Sequence, residues 1–289
     1  MMINRKIFRL ISSSFLSILL TMLLIFLLFP VIWICLMSFK APLDIISVTP
    51  KFIFRPTIQN YADLFTTSTA FGGGVQGGFW HYFRNSFIIT AGAMGLTLLL
   101  GLPAAFALAR FKFLGRSQII FTFLTFRFVP ELSIILPLYI IFQKIKLYNT
   151  YIGLVLAYQL ITLPLFVWIV RVFFENIPRE LEEAALVDGA SWWRIFWQVD
   201  LPLVRGGLAA AFILCAIFAW NNFIFGLILG SQDTQPLTVG VLGFMSYEQV
   251  LWGQMAAASM LIILPELAVV ALVQRYIVQG LMLGALAHQ

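Results

Sequence analysis

The chain has 289 residues, 61% of them hydrophobic and 10% charged, with a mean hydropathy of +0.97. Soluble domains carry about 25% charged residues, so this chain is solvated mainly by lipid, and its length suits one polytopic bundle without a separate soluble enzyme domain. Its formal charge of +6 is scattered between apolar spans rather than gathered on a polar helix, which argues against a nucleic-acid partner and makes the charge a signal of topology.

A spanning helix needs about 20 mainly apolar residues, and six segments qualify: about 15–38, 86–109, 118–143, 152–174, 207–230 and 255–277. The first follows Arg5, Lys6 and Arg9, as a signal peptide would. Its apolar run from Phe15 to Phe39 is too long for a signal core, and no small-residue cleavage site closes it, so it is expected to stay as a membrane helix. An outer loop over 40–84 comes next, with five glycines in FGGGVQGGFW (71–80). Residues 72–78 are expected to be pliable and exposed, either as a spacer or as a contact for an external partner. The third span contains Pro130 and Pro137, the fourth Pro164, the fifth Asn221-Asn222 and the sixth Pro265-Glu266. Alternating strand patterning is missing from the spans, so the fold class is an all-α polytopic membrane protein of six helices, kinked at its prolines. Cys35 and Cys215 both lie in apolar runs and read as small buried hydrophobes rather than a disulfide.

Basic residues set the orientation. Arg5, Lys6, Arg9, Arg110, Lys112, Arg116, Arg171, Arg179, Arg194, Arg205 and Arg275 fall on one side. Lys40, Lys51, Arg55, Arg84, Lys144 and Lys146 fall on the other, and Arg127 lies within the third span. The larger set belongs on the cytoplasmic side, which places both termini and the loop over 175–205 there.

Within that loop, ELEEAALVDGASWWRIFWQVDLP (180–202) holds five of the 12 acidic residues of the chain. Pro178 suits the first turn of a helix, Glu180, Glu182 and Glu183 suit its positive end, and Gly189 suits its stop, so a helix is expected over about 179–188. Leu181, Ala184, Ala185 and Asp188 share one face of it. Ser191 is expected to cap a second helix that Pro202 ends. Trp192, Ile195, Phe196 and Val199 form one apolar side of this second helix, and Trp193 and Trp197 form another. A short helix apolar on two sides wants two neighbours. One is the membrane bundle; the other is either a partner protein with a groove or the lipid interface.

The stretch EAALVDGASWWRIFWQVDLP (183–202) resembles the cytoplasmic signature of permease subunits in binding-protein-dependent ABC importers: E-A-A, three residues, G, nine residues, then I-x-L-P. Val199 stands where isoleucine is usual. Asn60-Tyr61, Asn85-Ser86, PLYIIFQKIKLYNT (137–150), Trp220-Asn221 and QRYIVQGL from Gln274 are similar to the second permease of maltose-type sugar systems. The C-terminal GALAHQ and the glycine-rich loop depart from that pattern. The resemblance implies a type I permease fold whose 180–202 stretch forms coupling helices, with Glu183, Ala184, Ala185, Gly189, Trp193, Leu201 and Pro202 meeting an ATP-binding subunit. It further implies a heterodimer with a homologous permease, two ATP-binding subunits, a periplasmic solute-binding protein, and a place in the bacterial inner membrane. ATP and Mg would be held by the partner ATPase, because this sequence has no G-x-x-x-x-G-K-[ST] loop and needs no cofactor of its own.

Polar groups inside spans mark the expected substrate path: Arg127 and Glu131 beside Pro130, Trp220, Asn221 and Asn222 in FAWNNFIFG, and Glu266 after Pro265. Each has a structural alternative: an internal ion pair for Arg127 and Glu131, interhelical hydrogen bonds for the asparagines, and support of a helix break for Glu266. The resemblance implies a neutral oligosaccharide as cargo. The outer connections hold six basic residues against Asp44, Asp63, Asp233 and Glu248, which with Arg127 also admits an anionic sugar. The rival reading is a secondary transporter driven by an ion gradient, with Arg127, Glu131 and Glu266 in proton coupling. Such carriers are usually built of repeated halves, and none is visible here. A membrane enzyme is disfavoured, since His81 and His288 are the only histidines and no nucleophile sits with a base.

Overall fold

The computed structural model describes residues 2–66, 78–126, 128–245 and 250–286, with side chains described between 16 and 271. Thirteen α-helices follow in chain order: α1 (Met2–Ser38), α2 (Pro42–Ile45), α3 (Gln59–Thr66), α4 (Gly78–Arg110), α5 (Arg116–Phe126), α6 (Glu131–Lys144), α7 (Tyr151–Glu175), α8 (Arg179–Val187), α9 (Trp192–Ile195), α10 (Leu201–Trp220), α11 (Ile224–Leu229), α12 (Leu237–Gly240) and α13 (Trp252–Leu286). No strand occurs among the described residues, only an isolated bridge between Met245 and Val250.

Among the described residues, five helical stretches are long and apolar enough to cross a membrane, or six if α5 and α6 count as one broken span, the two being inclined at 101°. Pro130 separates that pair, as a residue lacking an N–H and fixed in φ does. The expected fifth span of 207–230 is arranged differently. A continuous helical run extends from Trp192 to Trp220, breaks at Asn221, and resumes as the short α11.

α4 and α7 pack along each other, and α10 lies on both. Small residues permit this closeness. A Cβ on Gly101 would stand 2.8 Å from the Phe166 ring, and one on Gly207 would stand 2.3 Å from the Phe173 ring. Polar side chains join the same helices, with Thr97 donating to Gln159 at 2.9 Å and lying 2.8 Å from the Thr162 hydroxyl.

The interior divides into three apolar clusters. One lies between α4, α7 and α10 around Phe106, Phe166, Phe174 and Phe196. A second joins α4 and α7 to α6 and α11 around Tyr158 and Phe225. The third gathers α3, α4, α12 and α13 around Leu64, Phe79 and Phe244. In contrast, α1 leaves Leu16 through Phe29 uncovered by the rest of the chain. Cys35 and Cys215 are both free thiols.

Candidate functional site

The loop after α7 turns at Pro178 and enters α8 with Glu180 and Glu182 in its first turn, at the positive end of the helix. α8 closes by a paired set of bonds: Ala190 N–H donates to Ala185 C=O at 2.9 Å and Gly189 N–H to Leu186 C=O at 3.0 Å. This is the Schellman arrangement, which requires a left-handed residue one place beyond the cap. Gly189 supplies it at φ +80°, and its α-carbon faces open space.

Ser191 then caps α9, its hydroxyl accepting from Arg194 N–H at 3.3 Å. Pro202 does not end this second helix, contrary to the sequence expectation. A π-turn over Phe196–Asp200 widens the helix just before the proline, with Leu201 N–H reaching back to Phe196 C=O. That extra residue per turn relieves the clash a proline ring makes with the carbonyl four places earlier. Pro202 instead sits in the first turn of α10. The stretch from Trp192 is thereby continuous with a membrane helix.

The two apolar sides expected for 192–200 are both present, and only one is covered. Ile195 and Phe196 are buried, with the Phe196 ring 5.0 Å from Phe106 and 6.2 Å from Phe174 between centroids. Trp192 packs edge-on against Phe111 at 5.2 Å. On the opposite side Trp193 is 67% exposed and Trp197 48% exposed, continuous in type with exposed Leu181 and Val187 of α8. Glu183, Ala184, Gly189 and Pro202 are exposed, while Ala185 and Leu201 are half-buried.

One acid of the stretch has a role that dipole reasoning missed. Glu182 turns inward and pairs with Arg110, the last residue of α4. Arg110 also donates through Nη2 to the carbonyl of Ile177 at 3.2 Å. Asp200 is completely buried beside them. Burial first, and the neighbouring Asp200 carboxyl second, push the Glu182 carboxyl up to about 7 despite the opposing pull of Arg110. Adjacent glutamates look alike in sequence, so only the helix phase set by Pro178 and Gly189 distinguishes inward Glu182 from outward Glu183.

The expected path residues fall into two places. Asn222 is buried, donates to Glu131 at 3.3 Å, and accepts from Phe225 N–H at 3.1 Å, which starts α11. Glu131 lines a small cavity with Phe126, Pro164 and Phe225. Asn221 is exposed and donates to Glu266, which borders a separate cavity of ≈ 250 Å³ with Phe87, Met94, Phe212, Trp220 and Pro265. The Trp220 indole N–H donates to Ile262 C=O at 3.1 Å, one turn before Pro265 of α13. Arg127 and Gly72 to Gly77 lie outside the described residues, and Gly78 opens α4.

At the other end of the bundle the Asn-Ser and Asn-Thr pairs act as clamps. Asn85 donates to the carbonyls of Asp233 and Gln235, both at 3.0 Å, and accepts from the Tyr151 hydroxyl at 2.7 Å. The Ser86 hydroxyl accepts from Leu237 N–H at 2.7 Å. Asn149 accepts from Ser231 N–H and the Thr234 hydroxyl and donates to Asp233. Together they fix the loop over 231–237. Among the described residues no group of His, Cys, Asp and Glu is placed to hold a metal ion.

Long apolar helices, polar pairs at their breaks and an uncovered apolar face outside the spans are the features of a multi-pass membrane protein. Residues 97–282 match the family of binding-protein-dependent transport system inner membrane components, and the chain belongs to that family. A probable ABC transporter permease protein of Sinorhizobium fredii is 33% identical over 89% of this chain and 90% of its own length. The diacetylchitobiose uptake system permease protein NgcG of Streptomyces coelicolor is 34% identical over 86% of this chain and 80% of that one. The trehalose/maltose transport system permease protein MalG of Thermococcus litoralis is 32% identical over 90% and 91%. In fold, the chain is similar to a subunit of a bacterial ABC transporter involved in the import of the acidic polysaccharide alginate, with a TM-score of 0.77 at 22% identity over 93% of this chain and 97% of that one. Membership of an ABC permease family sets aside the ion-gradient carrier.

Proposed function

We propose that this permease carries a sugar or oligosaccharide into the cytoplasm by alternating access, as one half of a heterodimer with a homologous permease. The energy comes from two ATP-binding subunits that dock on 180–202 and hold ATP and Mg. One observation carries this reading: the second apolar side of the docking segment, with Trp193, Trp197, Leu181 and Val187, is left bare by the chain's own fold. Rigid aromatic anchors of this kind dominate binding at protein interfaces. Both termini and the docking segment face the cytoplasm, as the basic residues require. A solute-binding protein meets the opposite face, where the clamped loop over 231–237 offers a firm platform.

The printed names of the relatives support a carbohydrate cargo. A neutral oligosaccharide fits best, because the described path residues bring two carboxylates, Glu131 and Glu266, with amide partners rather than basic ones. The uncovered face of α1 then packs on the second permease or on lipid. Co-expression with the ATP-binding subunits, the second permease and the binding protein, followed by reconstitution in vesicles, tests the reading. ATP-dependent uptake of a labelled oligosaccharide is expected; uptake without any ATPase, driven by an imposed ion gradient, overturns it.

A further inference from the structure

Three structural elements meet at one buried polar point on the docking side. Arg110 ends α4, Glu182 lies within α8, and Asp200 closes the π-turn that leads into α10. The side chains of Arg110 and Glu182 are 3% and 5% exposed, and Asp200 is fully buried. Phe106, Phe174, Ile177 and Phe196 belong to one buried apolar cluster. One guanidinium therefore faces two carboxyl groups where charge is poorly solvated, and a buried charge in excess is costly.

The count of donors resolves the imbalance. No donor among the described residues makes a hydrogen bond to either oxygen of Asp200, although its carboxyl lies within reach of that of Glu182. A hydrogen shared between the two carboxyls is then the one donor that can satisfy Asp200. With it, one carboxylate balances Arg110 and the cluster is neutral; without it, the cluster holds a surplus negative charge. The other charge facing Glu182 is Arg179 in the first turn of α8. The charges at the end of α7, Arg171 and Glu175, pair with each other, and Glu175 also pairs with Arg116. The charge of α9, on Arg194, is exposed.

We propose that Glu182 is the positioning residue of the docking segment: by sharing one proton with Asp200 against Arg110, it binds α8 to the ends of α4 and α10 so that the three move as one body. Glu183, its neighbour, is exposed, whereas Glu182 is buried and acts from behind that surface. The inference rests on the docking reading only for its consequence in transport.

The sign of the pH dependence follows from linkage. The Glu182 carboxyl is raised from 4.5 to about 7 when packed, so the packed form holds its proton where the opened form has lost it. Packing of α8 is strongest below about 4.5, weakens as pH rises through the interval to about 7, and is level above it. One proton gives a slope approaching ~10-fold per pH unit in the local opening constant.

Hydrogen exchange of the α8 amides, measured by mass spectrometry on the purified full chain in detergent and corrected for intrinsic rates, tests this between pH 5 and 8. The wild-type protein is expected to lose protection along that slope and level off above pH 7. Glu182→Gln, which keeps a hydrogen-bonding group and leaves Asp200 to balance Arg110, is expected to show a flat profile. Asp200→Asn removes the shared proton from the other side and is expected to flatten it equally, should the first variant fail to insert. In the reconstituted complex Glu182→Gln is expected to keep stimulated ATPase turnover, and Glu182→Ala to lose it while remaining inserted. Equal slopes in wild type and both amide variants, or a Glu182→Gln complex that is inserted but uncoupled, overturns the proposal. If no ATP-binding subunit associates with the chain, the docking reading fails, and the exchange profiles still decide the proton-sharing lock.

Discussion

The rings of Trp193 and Phe196 stack 5.7 Å apart, and they belong to opposite environments: Phe196 is 3% exposed and Trp193 is 67% exposed. One helical turn thus links a phenylalanine locked in the bundle to a tryptophan offered to the outside. Because Trp192 to Trp220 form one helical run, a push on the outer ring is delivered to a membrane helix. Trp193→Ala removes the outer ring and leaves the inner one. Exposed substitutions change stability by about 0.5 kcal/mol or less, so the thermal midpoint should hardly move. Loss of an aromatic anchor at an interface costs about 2 kcal/mol, or ~30-fold in Kd. Titration of the reconstituted permease with ATP-binding subunits measures that difference, and unchanged affinity counts against the docking face.

The close contact of Gly207 with the Phe173 ring makes a second prediction. A side chain at Gly207 would overlap that ring, and overpacking of this sort costs about 1–3 kcal/mol. Gly207→Val should lower the unfolding midpoint of the detergent-purified chain. Adding Phe173→Leu should recover part of the loss, since the two residues are in contact and their effects do not simply add. A fully additive double variant contradicts the packing described.

Asn85 is a third test, at the opposite end of the bundle. Asn85→Ala removes the bonds that Asn85 makes to the carbonyls of Asp233 and Gln235 and to the Tyr151 hydroxyl. Each lost hydrogen bond costs about 0.5–1.5 kcal/mol. Faster amide exchange is expected over 231–237, with weaker stimulation by the binding protein. Affinity for the ATP-binding subunits should be unaffected, because α8 and α9 lie at the other end of the bundle.

Much of this arrangement was legible in the residues. Apolar runs of about 20 residues dictate membrane helices, and the two short helices around Gly189 were expected from Pro178, Gly189 and Ser191. What sequence reasoning missed arises from phase and from distance along the chain. Glu182 looked like a third dipole partner beside Glu180 and Glu183, because nothing local shows that it faces Arg110, 72 positions earlier. Pro202 looked like a helix stop because proline usually is one, and the π-turn that admits it has no clear sequence mark. Asn221 and Asn222 were expected to share one site, yet adjacency hid their separation: one pairs with Glu266 and the other with Glu131, which border different cavities.

The central claim, that residues 180–202 couple this permease to its motor, is tested most directly at Gly189. The residue adopts φ +80° with open space beyond its α-carbon, so a side chain there projects outward and not into the bundle. Gly189→Ala costs only the left-handed strain of about 1–2 kcal/mol and should retain coupling. Gly189→Trp places a bulky ring on the docking face. The measurement is ATPase turnover of the reconstituted complex with and without the binding protein. Loss of stimulation in Gly189→Trp, with normal insertion and a normal response in Gly189→Ala, is the expected result. Full stimulation in an inserted Gly189→Trp complex would contradict the account.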